Sequence, residues 1–337
     1  MADLLKELCC LFGASGDEAA VRDYILNEIK PYAESVEVDA LGNIIALKKG
    51  KNRSKVRLMV DAHMDEVGII VTAITPEGFL KFDTLGGIKD SILLCCKVKI
   101  NGITGVIGAK PIHLTDKDES KKAPKKDNMY IDIGVSSREE AEQYIGLGDS
   151  GVLLGEYFTL GDNLVKSKAL DDRIGCKILI DLIKKDSEYD FYATFTVGEE
   201  IGCRGARTVT YYVNPDAALT LEATTANDID GASADKQICK LGNGPAVSFM
   251  DNGTVYYRNF YTAALESGVL CQPKAAVAGG NNSSAIHLAR CGVKTLAISV
   301  PCRYIHTPCC VADLEDIENA ERLTEYMINK ICSGEVQ

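Results

Sequence analysis

Val56-Arg57-Leu58-Met59-Val60-Asp61-Ala62-His63-Met64-Asp65-Glu66-Val67-Gly68 is the segment on which the reading of this chain turns. Its first five residues form a short, mostly apolar run bounded by charge, the pattern of a strand in a buried sheet. That run leads straight into His63 and Asp65, and after Gly68 the texture of the sequence changes. The segment therefore predicts a buried strand that delivers polar side chains at its carboxyl end and then hands the chain to a different kind of domain.

Working outward, Ala20, Val21, Tyr24, Ile25 and Ile29 have helical spacing, and they predict a helix over 16–29. Residues 36–38 and 44–47 predict two strands around a turn at Asp39-Ala40-Leu41-Gly42-Asn43. From 68 to 160, short apolar runs are punctuated by Gly78, Gly86, Gly87, Gly102, Gly105 and Gly108, which predicts a small β-barrel or sandwich. Inside it, the charge-dense stretch 116–127 reads as an exposed loop. Beyond Leu164 strands and helices alternate: helix 170–185, strand 191–197, a helix from Gly205, strand 217–221, helix 283–291, strand 294–300 and helix 314–331. Alternation of this kind predicts an α/β fold, a mostly parallel central sheet flanked by helices. The domain plan is 1–67 with 161–337 as one discontinuous α/β domain, and 68–160 as an inserted β-rich domain.

Composition narrows the functions. The 337 residues suffice for two domains and a large core. The formal charge is 37 − 48 = −11, which disfavours nucleic acid and anionic membranes as partners. No apolar run approaches the 18 or so residues of a bilayer span, and the first 16 residues do not read as a signal peptide. Thirteen cysteines, an odd number without a C-x-x-C spacing, read as reduced core thiols of a cytoplasmic protein.

Polar residues cluster where the predicted strands end. His63 and Asp65 follow the first strand, Glu199 and Glu200 follow strand 191–197, Glu222 ends strand 217–221, and His306 comes shortly after strand 294–300. Asp171 and Asp172 open the helix after the insertion. Ligands of open α/β sheets bind beyond the carboxyl ends of the strands, so one rim receives all of these groups. Imidazole nitrogens and carboxylate oxygens suit Zn²⁺, with Co²⁺ and Mn²⁺ as alternatives. Two histidines with several carboxylates is the donor count of a metal pair that shares bridging ligands. Gly198 and Gly202 bracket the paired glutamates and let the backbone turn tightly. The G-x-G-x-x-G match at 146–151 follows a predicted helix rather than a strand, so no nucleotide site is predicted there. His113 and His287 read as structural, and Arg303-Tyr304 as a brace for the His306 loop or a substrate contact.

These segments, with Ala169-Leu170-Asp171-Asp172-Arg173-Ile174-Gly175-Cys176, Glu199-Glu200-Ile201-Gly202-Cys203-Arg204-Gly205-Ala206 and Arg303-Tyr304-Ile305-His306-Thr307-Pro308, carry a resemblance. In order and over essentially the whole chain, they resemble the glutamyl and deblocking aminopeptidases, dinuclear metallopeptidases that include the tetrahedral aminopeptidases. The resemblance implies a zinc-exopeptidase-like catalytic domain. It implies His63 as ligand of one metal with Asp65 orienting its ring, Asp171 as the bridging carboxylate, Glu200 and Glu222 as ligands, His306 as ligand of the second metal, and Glu199 as general base. It implies two divalent ions, Zn²⁺ first and Co²⁺ or Mn²⁺ as alternatives, short peptides as substrates, and a homo-oligomer, often of twelve subunits, with the inserted domain 68–160 serving oligomerisation or substrate access. The implied activity is removal of N-terminal residues by a water activated on a dinuclear zinc or cobalt centre. The chain departs from the family pattern at Gly198, where the family has Gln, at Glu222, where it has Asp, and at Asn281-Asn282, where it has Thr-Asp. Two rival readings stay open: an N-acyl deacylase or other amidohydrolase on the same site, and a non-catalytic assembly protein with a decayed site.

Overall fold

The computed structural model describes residues 2–114, 122–233 and 237–336. The part of the charged loop at 116–121 lies outside the described residues, and its continuation at Lys122, Lys125 and Asp127 is exposed. The main sheet runs in the order Ser35–Val38, Ile44–Lys48, Phe191–Thr196, Leu58–His63, Ala217–Thr225, Lys294–Arg303, Cys310–Asp313, Leu164–Ser167 and Phe158–Leu160. Its four central strands, from Phe191–Thr196 to Lys294–Arg303, are parallel neighbours. Both flanks are antiparallel, so the sheet is mixed, and the expected parallel character holds for its centre only. Parallel strands are buried on both faces, which is why Leu58–His63 has no exposed residue.

Side chains alternate along each strand. Leu58, Val60 and Ala62 enter the large core beneath the sheet, where helix Leu170–Lys184 is buried along nearly its whole length and helix Leu314–Cys332 packs beside it. Met59, Asp61 and His63 alternate with them and point to the opposite face. That second face begins apolar, with Met59, Ala218 and Val209, and becomes polar toward the strands' carboxyl ends.

Between Leu58–His63 and the return strands the chain builds a closed antiparallel barrel. Its strands run Gly68–Ile74, Leu80–Leu85, Met129–Asp132, Ile103–Ala109, Lys97–Ile100 and Ser150–Leu153. Ile69, Leu80, Val98, Ile100, Ile107 and Ile131 give it a core of its own. Gly68 sits at the crossing into the barrel, where a Cβ would come within 2.5 Å of the Gly151 carbonyl oxygen. The G-x-G-x-x-G match lies in this barrel, ahead of a strand and not at the start of a helix.

Several element bounds differ from expectation for local reasons. The helix expected from residue 16 starts at Ala19, because Gly16 has φ +90°. The helix expected over 283–291 covers only Ser283–Ile286, and the chain turns at Arg290 with φ +51°. The strand expected over 217–221 continues to Thr225, so Glu222 lies within it. A first helix, Ala2–Cys10, buries Leu5, Leu8 and Cys9 and was not foreseen. All thirteen cysteines are free, but only six of them are buried, so the thiols are not simply core residues. No helix among the described residues is long and apolar enough to cross a membrane.

Candidate metal centre

His63 ends its strand with its side chain almost wholly buried. Its Nδ1 lies 3.0 Å from the Asp65 carbonyl oxygen and 3.4 Å from Asp65 Oδ1. Its Nε2 lies 3.3 Å from Asp171 Oδ1 and 3.7 Å from Glu222 Oε2. His306 is its counterpart: Nδ1 lies 3.0 Å from the carbonyl oxygen of Gly87, and Nε2 lies 3.3 Å from Asp171 Oδ2 and 3.4 Å from Glu200 Oε2. The two oxygens of Asp171 thus face one imidazole each. Oxygen and nitrogen atoms of His63, Asp171 and Glu222, of His63, Glu199 and Glu200, and of Asp171, Glu200 and His306 form three groups whose atoms lie within 4.8 Å of one another. Every metal-site residue anticipated from sequence falls in one of these groups, and Asp65 stands directly behind them.

Asp65 is the hub of the backbone around the cluster. Its Oδ1 accepts the Glu199 N–H at 3.0 Å, and its Oδ2 accepts the Glu200 N–H at 3.1 Å and the Ser15 hydroxyl at 2.6 Å. Burial pushes its pKa up, but the His63 and Ser15 contacts outweigh that and hold it below the ordinary carboxylate range. Several residues nearby adopt left-handed backbone that only glycine takes without strain: Ala169 before Asp171, Cys203 after Glu200, and Tyr304 and His306. Strain of this kind persists where the surroundings fix it, and it collects at functional sites.

The electrostatics mark a cluster built for cations. Both imidazoles donate through Nδ1–H to a carbonyl, which leaves each Nε2 with a lone pair aimed at carboxylate oxygens. Lone pair against lone pair is unfavourable unless a cation stands between them. Glu200 Oε1, Glu222 Oε1 and Asp171 Oδ1 are buried without a hydrogen-bond donor. Burial pushes the Glu200 and Glu222 pKa well up, with Asp171 adding repulsion at Glu200 and Glu199 at Glu222. Burial, then repulsion from Asp171, raises Glu199 to about 7. Burial works against a charged His306, yet Asp171 and Glu200 push its pKa up to about 10. A proton there occupies the place of a cation. The donor set therefore fits divalent metal ions of the borderline class. A small cleft, lined by Lys168, Asp171, Glu200, His306, Thr307 and Pro308 among others, opens beside it.

Sequence reading did not single out Ser15 or Glu18. Ser15 reaches Asp65, and Glu18 accepts the N–H groups of Gly16 and Gly198. Asn43, in the foreseen turn, accepts the Val197 N–H at 2.9 Å and so holds the start of the Glu199-Glu200 turn from the other side. Arg303 is tied to Asp228 through two bonds of 2.8 and 2.7 Å. His287 closes on its own helix through the Ser283 carbonyl, and His113 is exposed in a short turn. Neither joins the cluster.

The chain is similar to known proteins over nearly its whole length. Residues 42–323 match the family described as M42 glutamyl aminopeptidase. A putative aminopeptidase of Acetivibrio thermocellus is 37% identical over 338 residues, covering 98% of each chain. The structure of an aminopeptidase from the archaeon Desulfurococcus kamchatkensis superposes with a TM-score of 0.94 at 32% identity, covering 100% of this chain and 96% of that one. The TET1 peptidase of Pyrococcus horikoshii, which can assemble into a tetrahedron or a large octahedral shell, gives 0.85 at 33% identity, with 96% and 98% covered.

Proposed function

Because the chain belongs to the M42 glutamyl aminopeptidase family, we propose that it removes N-terminal residues from short peptides at a centre of two divalent metal ions. The family is one of metal-dependent aminopeptidases, and the chain is an enzyme of that kind. One observation carries the finer reading: the Nε2 atoms of His63 and His306 approach the two oxygens of one carboxylate, Asp171, at 3.3 Å each. A carboxylate flanked in this way suits a bridge between two cations. Charge supports the count. Asp171, Glu199, Glu200 and Glu222 carry −4 when ionised, and two divalent ions carry +4.

In this reading His63, Glu222 and Asp171 hold one ion, and His306, Glu200 and Asp171 hold the other, Zn²⁺ first and Co²⁺ or Mn²⁺ as alternatives. When bound, the ions would polarise the scissile carbonyl and make water a stronger acid. Glu199 acts as base: it accepts a proton from the attacking water and returns it to the departing amine. Asp65 keeps the His63 ring and both glutamate backbones in place. The same proposal takes 1–67 with 161–337 as the catalytic domain and 68–160 as an inserted module, and it takes the enzyme as a cytoplasmic homo-oligomer like the shell-forming TET1 peptidase.

The test uses one peptide in free and N-acetylated forms, with Zn²⁺ or Co²⁺ and with a chelator, followed by mass spectrometry. Stepwise loss of residues from the free form alone, abolished by the chelator, is the expected result. Release of acetate, or cleavage of the blocked form alone, would replace the aminopeptidase reading with deacylation. Undiminished activity in the chelator would refute the metal centre.

A further inference from the structure

Behind the donor cluster lies a second polar assembly that the proposed reaction does not use. Asp61 is completely buried on the same sheet face as His63, two residues before it. Its hydrogen-bond partners are neutral. Oδ1 accepts the Thr194 hydroxyl at 2.6 Å, and Oδ2 accepts the Asn282 amide at 2.8 Å with the Thr196 hydroxyl at 3.4 Å. The same Asn282 amide donates to Thr196 Oγ1 at 2.8 Å, which closes a triangle of Asp61, Thr196 and Asn282.

Each corner is tied to a different part of the cluster. Thr196 pairs with His63 across the two parallel strands, and its carbonyl accepts the Met64 N–H at 2.7 Å. Three residues later the same strand end presents Glu199. Asn282 precedes Ser283, whose hydroxyl lies 2.6 Å from that of Thr220, two residues before Glu222 on one sheet face. Next comes Ser284, whose Oγ lies 3.6 Å from Cys203 Sγ, and that thiol lies 3.6 Å from Glu199 Oε1. Ionic hydrogen bonds in a dry interior are strong and rigid, and leaving such an anion buried is costly without them.

We propose that Asp61 is a positioning residue of the metal centre: with Thr196 and Asn282 it clamps together the strand ends that carry His63, Glu199 and Glu222, and so sets the spacing of their donor atoms. The proposal rests on the metal reading above. The clamp explains why residue 282 is an amide. A carboxylate there would set two buried anions 2.8 Å apart, and the single Thr196 hydroxyl hydrogen could not serve both. Exchanging both residues restores the bond with reversed polarity, because an amide at 61 can donate to a carboxylate at 282.

The experiment titrates the metal-free, full-length protein with Co²⁺ and reads both affinity and the visible absorption band, which reports ligand geometry. Asn282→Asp is expected to weaken Co²⁺ binding about 10-fold or more, the size of effect typical of residues that orient metal ligands. The Asp61→Asn/Asn282→Asp exchange is expected to return within about 3-fold of the parent, also with the parent's band. The sign is diagnostic, because an added negative charge acting by attraction alone would tighten binding. Unchanged or tighter binding by Asn282→Asp overturns the clamp, as does a folded exchange variant that binds Co²⁺ no better than the single one. Should Asn282→Asp fail to fold, Thr196→Val, which keeps the shape, carries the same test. Weakened Co²⁺ binding by folded Thr196→Val supports the clamp, and parental binding overturns it. If the unaltered protein binds no Co²⁺, the metal reading itself fails, which is a different result.

Discussion

Asp65→Asn isolates the hub of the centre. The carboxylate accepts three hydrogen bonds: from the Ser15 hydroxyl at 2.6 Å and the backbone N–H groups of Glu199 and Glu200 at 3.0 and 3.1 Å. An ionised carboxylate only accepts, whereas an amide has one acceptor oxygen and two N–H donors. If the amide oxygen takes the Oδ1 place, its NH₂ faces the Glu200 N–H; in the other orientation it faces the Glu199 N–H and His63 Nδ1. The Ser15 hydroxyl can rotate to accept, but a backbone N–H cannot. One buried donor is therefore orphaned, costing about 1–3 kcal/mol, and the remaining bonds drop from ionic to neutral strength, about 1 kcal/mol more. The expected loss of stability is about 2–4 kcal/mol. For 337 residues an unfolding entropy of about 2 cal/mol/K per residue turns this into a fall in Tm of about 3–6 °C. The folded-state pKa of Asp65 is depressed, so the difference is fully present above the ordinary carboxylate range and shrinks as pH falls through it. Zinc affinity should fall about 10–100-fold, since the backbones of two neighbouring donors lose their anchor. Calorimetry of the chelated protein and zinc competition with a chromophoric chelator measure the two effects. A variant that melts within about 1 °C of the parent and binds zinc within about twofold would refute the hub.

Glu199→Gln leaves His63, Asp171, Glu200, Glu222 and His306 in place, so it should keep the metal content and lose about 10²–10⁴-fold in kcat with little change in KM. Steady-state kinetics on a free peptide check this, and full activity would remove Glu199 from the base role. Glu66→Gln should destabilise by about 3–5 kcal/mol, because it strips the buried Lys168 ammonium and Arg173 guanidinium of their common anion. Denaturant unfolding reads the loss, and a change below about 1 kcal/mol would show that the cations find other partners.

Legibility in the sequence followed physical scale. A buried strand was readable at 56–60 because parallel strands are apolar on both faces, and its carboxyl end pointed to His63 and Asp65; the strand itself runs over Leu58–His63, so His63 ends it rather than follows it. The barrel was readable from its glycines, since close approaches such as that of Gly105 to Ile131 and the Asp132 carbonyl exclude a side chain. The continuation of strand Ala217–Thr225 past residue 221 was not readable, because Glu222 and Thr224 interrupt the apolar run where the sheet face turns polar. The helix Ala2–Cys10 was missed because nine residues give a weak period, and its place is fixed by tertiary bonds such as Arg173 to the Leu8 carbonyl at 2.6 Å. Ser15, Glu18 and Asp61 were invisible for a related reason. Their roles depend on partners 50, 180 and 221 residues away, and no local pattern encodes those.

The same contacts account for two of the sequence's departures from the family pattern. At Gly198 the backbone has φ +62°, and a Cβ would approach that of Arg204 at 3.3 Å. A side chain there is strained, and the buried carboxylate of Glu18 accepts the Gly198 N–H at 3.1 Å. At residue 282 the amide donates to Asp61, so a negative charge remains in the neighbourhood but sits on the adjoining strand. The change at 282 is compensated within hydrogen-bond distance, which is unlike the uncorrected loss of a decaying site. Glu222 differs from these two. It stands in the donor cluster itself: Oε2 lies 3.7 Å from His63 Nε2, where Asp171 stands at 3.3 Å, and Oε1 has no donor, like Asp171 Oδ1 and Glu200 Oε1. The departure that stands in the donor cluster is therefore Glu222, and a change in substrate preference should trace to that residue rather than to Gly198 or Asn282.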